Sequence, residues 1–383
     1  MTVERRDVVI VGAGPVGLGT AIGLAQKGIS FAIFDALAEQ QNTSRAAVIH
    51  SRTLETLDQV GVTPRLVAQG IRVPMFRIRD RDRELLGADF RNLEGPFPFL
   101  LMIPQDETEA VLVQRLSELG HEVVRPANAN RIERLASGGA RVECETPSGT
   151  TIIECRYLVG ADGQHSKVRE SADISFPGST YGSFLLADVH MEWPIAHDEV
   201  TLFFSAEGTL VVAPMSGERH RVVAQLADAP SAPTAADVQR IIDTRGPIGG
   251  GIVREVLWGS RFKVNHRLAT SFRSGPFLLA GDAAHVHSPA GGQGMNLGLR
   301  DAVALSDALE QALAGRDADA ALDRYANIQR AAAQRVLKMT DRLTRVATMR
   351  GKFARRLRNR ALHTLGLVPG VRQKLARTLA GYE

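Results

Sequence analysis

Val8-Val9-Ile10-Val11 runs directly into Gly12-Ala13-Gly14-Pro15-Val16-Gly17, and a largely apolar stretch then continues to Ala25. An unbroken apolar run of this kind marks a parallel strand buried on both faces. The glycines after it have separate tasks. Gly12 makes the turn, Gly14 lets the backbone approach a pyrophosphate, and Gly17 lets helix pack on strand. The unit reads as a strand over 7–11, a helix over 15–27 and a strand over 29–35. Asp35 ends that second strand 18 residues after Gly17, near where a carboxylate accepts hydrogen bonds from an adenosine ribose.

A second glycine-rich stretch lies far along the chain. It runs Phe277-Leu278-Leu279-Ala280-Gly281-Asp282-Ala283-Ala284-His285, then through Pro289 to Gly291-Gly292-Gln293-Gly294-Met295-Asn296. A strand ends in Gly-Asp and a loop feeds another helix. Two separated helix N-termini suit a ligand with two anionic regions, the pyrophosphate of FAD and its flavin ring when reduced. A third motif, Gly160-Ala161-Asp162-Gly163, follows a strand over 151–159. It places a carboxylate beside the first motif if the sheet is parallel.

At 383 residues, 44% hydrophobic and 23% charged, the composition is that of an ordinary globular enzyme with room for two domains. Cys144 and Cys155 fit no metal or redox-pair spacing and read as structural thiols of a cytoplasmic protein. Arg5-Arg6 ahead of an apolar stretch imitates a signal peptide. Asp7, the glycines, Pro15 and Gln26-Lys27 oppose that reading, and no stretch is apolar enough to span a bilayer.

The net charge of +4 is unevenly spread. From Arg350 to Glu383 nine basic residues face one acid, giving +8 and leaving −4 for the rest. Phe353, Leu357, Ala361, Val371, Leu375 and Leu379 recur at a helical spacing of four. The expectation is a basic pair of helices covering the cofactor domain, with contact to anionic lipid or an acidic partner as the sharper alternative. Nucleic acid is not expected, because no aromatic residues interleave the basic ones.

Ser51 to Val60 reads as a helix, and Asp106 with Glu109 as a capping box for a helix to Leu119. Short strands follow over 121–125, 131–136, 140–146 and 151–159. Residues 184–268 and 72–103 have an antiparallel texture and are expected to form one sheet of a second domain. Helices then fill 295–314 and 318–349.

These residues together resemble the single-component FAD-dependent aromatic hydroxylases of the para-hydroxybenzoate hydroxylase type, from Asp7 to about Met349. Gly-Ala-Gly-Pro-Val-Gly, Gly-Ala-Asp-Gly and Gly-Asp-Ala-Ala-His with Gly-Gly-Gln-Gly-Met-Asn occur in the family's order. The implied fold class is α/β, with a Rossmann-like, glutathione-reductase-like FAD-binding domain, an inserted antiparallel-sheet substrate domain and C-terminal helices. The expected division is 1–71, 104–183 and 269–349 for FAD, 72–103 and 184–268 for substrate, and 350–383 for the basic tail.

The resemblance implies further roles. Arg45 matches an arginine along the FAD pyrophosphate, Gln105 a glutamine near the ribityl chain, and Asp282 the aspartate holding a ribityl hydroxyl. Pro289 matches the proline beside the flavin, the amides of Met295 and Asn296 would meet the ring's pyrimidine edge, and Gly294 is a further cofactor-binding residue of the same loop. Arg221 resembles an arginine that faces the flavin from the substrate sheet. Asp162 has two readings, contact with a nucleotide or a cap on the strand-to-helix turn. His285 and His287 are expected to be structural. His190, His197, His220 and His266 share no ligand spacing, so no metal is expected.

The implied activity is hydroxylation of an aromatic, phenolic or polyketide-like substrate through a flavin hydroperoxide. Non-covalent FAD would be reduced by NADH or NADPH bound transiently, since only one Gly-x-Gly-x-x-Gly occurs. A monomer or homodimer is expected. Two departures stand out: family members usually carry Glu, often followed by Arg, where this chain has Asp35-Ala36, and the chain stops at Glu383, before the thioredoxin-like domain of larger relatives. A halogenase would need an early lysine, yet none lies between Lys27 and Lys167, and Trp193 and Trp258 stand alone. Flavin-dependent reduction of an isoprenoid, and a silent flavin-binding protein, are the remaining alternatives.

Overall fold

The computed structural model describes residues 3–39, 46–288, 291–315, 317–347, 349 and 351–382. Its helices are α1 (Pro15–Gln26), α2 (Ser51–Asp58), α3 (Thr63–Gln69), α4 (Gln105–Glu118), α5 (Lys167–Ser171), α6 (Ala235–Arg245), α7 (Gln293–Leu313), α8 (Ala318–Ala347), α9 (Lys352–Gly366) and α10 (Pro369–Leu379).

Strand Val3–Val11 lies between Phe31–Phe34 and Gly149–Gly160, parallel to both, and Phe277–Leu279 joins parallel on the far side of the latter. Val8, Val9 and Ile10 have no exposure at all, as a strand covered on both faces requires. Val11 pairs with Gly160 and with Phe34, and Gly160 with Leu279. All the glycine turns therefore emerge along one edge. An antiparallel meander, Asn128–Arg134, Ala140–Thr146 and Gly149–Gly160, extends the sheet.

Two expectations need correction here. Residues 121–125 form no strand: Val124 alone bridges to Phe34, and Pro126 lacks the amide to continue a ladder. The helix expected to be capped by Asp106 begins two residues earlier, with Pro104 at its N-cap and no side-chain cap. Asp106 and Glu107 instead sit in the first turn, where their charge complements the helix dipole.

A second sheet has eight strands in the order His285–Val286, Ile252–Leu268, Gly178–Glu192, Arg219–Leu226, Thr209–Met215, Glu199–Phe204, Met75–Asp80 and Arg83–Asp89. Every neighbouring pair is antiparallel except Glu199–Phe204 with Met75–Asp80. Ile71–Val73 and Leu100–Met102 do not join it. Instead, Leu100–Met102 pairs antiparallel with both Val48–Ile49 and Ile71–Val73 in a small third sheet.

The tail forms two helices, but they do not lie on the parallel sheet's layers. Leu362, Val371, Leu375 and Leu379 pack with Phe76, Leu85 and Leu86 of the antiparallel sheet. Phe353 and Leu357, expected on the packed stripe, are 81% and 60% exposed.

Candidate flavin site

Gly12 has φ +100°, and a Cβ there would stand 2.3 Å from the Ala161 carbonyl oxygen. Only glycine fits this turn. The Gly12 turn and Gly160-Ala161-Asp162-Gly163 are thus locked together, with the Ala161 amide donating to the Val11 carbonyl at 2.8 Å. Gly14 caps α1 in an extended conformation, no side chain caps that end, and the first turn holds no acid. Leu18 is the first amide with an intrahelical acceptor, Gly14 O at 3.0 Å. The amides of Val16 and Gly17 point free, and Pro15 has none to satisfy. Nothing lies within 4 Å of where a Gly14 Cβ would be. This open, uncapped helix end is a cradle for a pyrophosphate.

Asp35 closes the same turn. Its Oδ2 accepts from the Ala13 amide at 2.6 Å and its Oδ1 from the Leu37 amide at 2.9 Å. A carboxylate has further lone pairs for a ribose hydroxyl, but its first task is to hold the glycine turn. Asp162 is likewise occupied: Oδ2 accepts from the amides of Lys167 at 2.7 Å and Val168 at 3.3 Å. Burial pushes its carboxyl above the usual carboxylate range.

The Gly281-Asp282 turn sits directly on α1. Gly281 has φ +61°, and a Cβ there would meet Val16 Cγ2 at 2.7 Å; a Cβ at Gly298 would meet the same atom at 2.7 Å. Val16 is therefore the wedge on which two widely separated glycines close. Beside them Asp282 is exposed, while Gly281 and Ala283 are buried. Two residues that no motif flagged brace this turn. Asp301 of α7, fully buried, accepts from the Gly281 amide at 3.1 Å and pairs with His285 Nε2 at 2.6 Å. Arg169 donates to the Ala283 carbonyl at 2.9 Å and the Gln164 carbonyl at 3.0 Å. His285 is thus buried under the loop as a brace. Burial also lowers the imidazolium pKa of His287 to about 4, and its Nδ1 lies 3.0 Å from the Ser288 carbonyl.

At α7 the N-cap is Gly292, no side chain caps it, and the first turn is free of acids. Its free amides are those of Gln293, Gly294 and Met295, since Asn296 is the first residue with a helical acceptor. Asn296 contributes its side chain instead. Oδ1 accepts from the His50 amide at 2.7 Å, and Nδ2 donates to the carbonyls of Val48 and Gly292 at 2.8 Å each. Gln105 joins the same region, its Nε2 donating to Glu109 Oε1 at 2.8 Å and its backbone amide to Ala46 O at 3.1 Å. Arg45 and Pro289 lie outside the described residues.

Arg221 is 3% exposed. Its Nε and Nη2 donate to the two oxygens of Asp188 at 2.7 Å each, and its Nη1 donates to the Ala46 carbonyl at 2.9 Å. The guanidinium joins the antiparallel sheet to the loop that precedes Val48–Ile49. Directly opposed residues share a face of a sheet. Phe184, Leu186, Val211, Ala213, Val223 and Phe262 therefore lie on Arg221's side. The alternating residues Leu185, Ala187, Val212 and Val222 turn away and pack on α6. Phe184 and Phe262 stack at 5.6 Å between centroids.

A cleft of about 770 Å³ opens elsewhere, lined by Arg5, Arg156, Arg273 and Asp319 at the start of the parallel strands. It faces away from the glycine turns, and Arg273 is paired with Asp319 and Asp323. It is a salt-bridged surface groove. Cys144 and Cys155 are buried free thiols, their pKa values pushed up to about 11 and about 12 by burial. Among the described residues no cluster of three or more His, Cys, Asp or Glu is placed to hold a metal, and no helix is long and apolar enough to cross a membrane.

Residues 5–340 match the family described as FAD binding domain. An uncharacterized aromatic compound monooxygenase of Bacillus subtilis is 33% identical over 352 residues, covering 89% of this chain and 69% of that protein. Anhydrotetracycline monooxygenase of Streptomyces rimosus is 35% identical, covering 88% and 69%. The chain is an FAD-binding member of the flavin-dependent aromatic monooxygenases. It spans 63–70% of the length of the curated relatives it matches. The fold agrees with the crystal structure of p-nitrophenol 4-monooxygenase from Pseudomonas putida, with a TM-score of 0.89 at 23% identity over 99% of this chain and 100% of that one.

Proposed function

We propose that this chain uses NADH or NADPH and dioxygen to hydroxylate a bulky, largely apolar aromatic substrate of phenolic or polyketide type. The observation that carries this reading is the face of the antiparallel sheet beside Arg221. Phe184, Leu186, Val211, Val223 and Phe262 make it largely apolar; of its charges, Arg221 and Asp188 neutralise each other and Arg219 faces Glu107. Such a face recognises ring area rather than polar substituents. That relatives include an anhydrotetracycline monooxygenase favours a polycyclic substrate.

In this proposal the segments 1–71, 104–183 and 269–349 bind FAD, 72–103 and 184–268 form an inserted substrate domain, and 350–383 is a helical tail. Val16 and Gly17 would give amides to the pyrophosphate, Asp35 and Asp282 would accept from ribose and ribityl hydroxyls, and α7 would turn the Gly294 and Met295 amides to the pyrimidine edge. When bound, FAD supplies electron transfer from the nicotinamide and activation of oxygen. The chain's own residues orient the ring, exclude water and stabilise negative charge at the α7 N-terminus. One oxygen atom enters the substrate and the other leaves as water, with NAD(P)H supplying the two electrons. Arg221 enters as a positioning residue, because its donors are directed at Asp188 and Ala46.

The test is a panel of phenols and polycyclic phenols screened for stimulated NAD(P)H oxidation, with products identified by mass. Hydroxylated product from the larger rings is expected. Stimulation without any oxygenated product, or turnover confined to non-aromatic compounds, would contradict the reading.

A further inference from the structure

Helix α9 packs Leu362 inward, yet it also buries polar groups and exposes large apolar ones. Its buried face carries Arg358 and Asn359, 7% and 9% exposed, with His363 half-buried beside them. Arg358 donates to the carbonyls of Val346 and Ala347 at 3.1 and 3.0 Å and lies 4.7 Å over the Phe204 ring. His363 Nδ1 stands 3.2 Å from the Glu84 carbonyl. Meanwhile Phe353 is 81% and Leu357 60% exposed, and Leu367 just past the helix is 68% exposed. A surface helix that served only to cover the sheet would place these groups the other way round.

The exposed stripe is flanked by exposed Lys352, Arg356 and Arg360. From Arg342 to Tyr382 the sequence contains no acidic residue at all. Helix α9 itself carries no acidic residue, so two copies meeting through its outer face would oppose arginine to arginine. An anionic bilayer supplies both complements at once, phosphate for the guanidinium groups and acyl chains for Phe353 and Leu357.

We propose that the outer face of α9 is a docking surface for anionic lipid, on which the protein lies peripherally. The inference is independent of which aromatic compound is the substrate. A protein that works on poorly soluble ring systems would meet them at such a surface.

The test is sedimentation of the full chain with phosphatidylcholine vesicles prepared with and without phosphatidylglycerol. Binding more than about tenfold tighter to the anionic vesicles is expected, weakening as salt rises. The double variant Phe353→Ser/Leu357→Ser should lose this binding while keeping its melting temperature and flavin content, and Arg356→Glu/Arg360→Glu should do the same. Equal binding to both vesicles, no binding to either, or undiminished binding by both variants would overturn the proposal. So would an oligomer in vesicle-free buffer that the Phe353 variant dissolves, or capture by polyglutamate without capture by vesicles.

Discussion

Asp188 grips Arg221 with both carboxylate oxygens, each 2.7 Å from a guanidinium nitrogen, at a place where the arginine is 3% exposed. The third bond of that guanidinium crosses to Ala46. Arg221, expected from the sequence to face the flavin, thus also forms a strut between two layers of the molecule.

Breaking the strut from either side should destabilise the fold. Removing one member of a buried ion pair strands the other, which costs about 3–5 kcal/mol. Asp188→Asn and Arg221→Met should each lower the unfolding free energy by that order in denaturant titration. The double variant should cost less than the sum of the two. Additive losses would show that the pair is not coupled.

Val16 offers a second coupling. Gly281→Ala forces a Cβ to within 2.7 Å of Val16 Cγ2 at φ +61°. Strain and clash together should lower stability by about 1–2 kcal/mol or more, and flavin should release more readily. Adding Val16→Ala should relieve the clash and leave only the backbone strain. A double variant no better than Gly281→Ala would show that the contact is unimportant.

Asp282 is expected to accept from a ribityl hydroxyl. Asp282→Ala should weaken flavin binding roughly tenfold or more, since a hydrogen bond to a charged group contributes about 1.5–3 kcal/mol. Fluorescence titration of the apoprotein measures it. Unchanged affinity would remove Asp282 from the site.

Acid should unfold the protein through its buried histidines. Burial lowers the imidazolium pKa of His50 and of His287 from 6.5 to about 4. The folded state thus takes up these protons later than the unfolded state. Each histidine's contribution is unaffected above pH 6.5 and falls as pH drops toward about 4, by about 1.4 kcal/mol per unit. His287→Asn should flatten the slope of stability against pH over that window. A variant with the wild-type slope would contradict the assignment.

The parallel layer was legible because its constraints are local. Gly12 and Gly281 announce backbone conformations that few other residues adopt, and an apolar run such as Val8 to Val11 has few places to go. What stayed hidden depends on pairings across the fold. Asp188 and Arg221 meet because their strands are neighbours in register, and no spacing encodes that. Asp301 lies under Gly281 only once α7 folds back along α1. Periodicity detected the tail helices but could not tell which face is buried, because α9 buries arginine and exposes phenylalanine.

The central claim is that dioxygen supplies the oxygen atom added to an aromatic ring. It is tested most directly by single-turnover reaction of NAD(P)H-reduced holoprotein with isotopically labelled dioxygen and a substrate found in the screen. The account predicts one labelled atom in each product molecule and no product without dioxygen. Oxygen taken from water, or full product under anaerobic conditions, would contradict it.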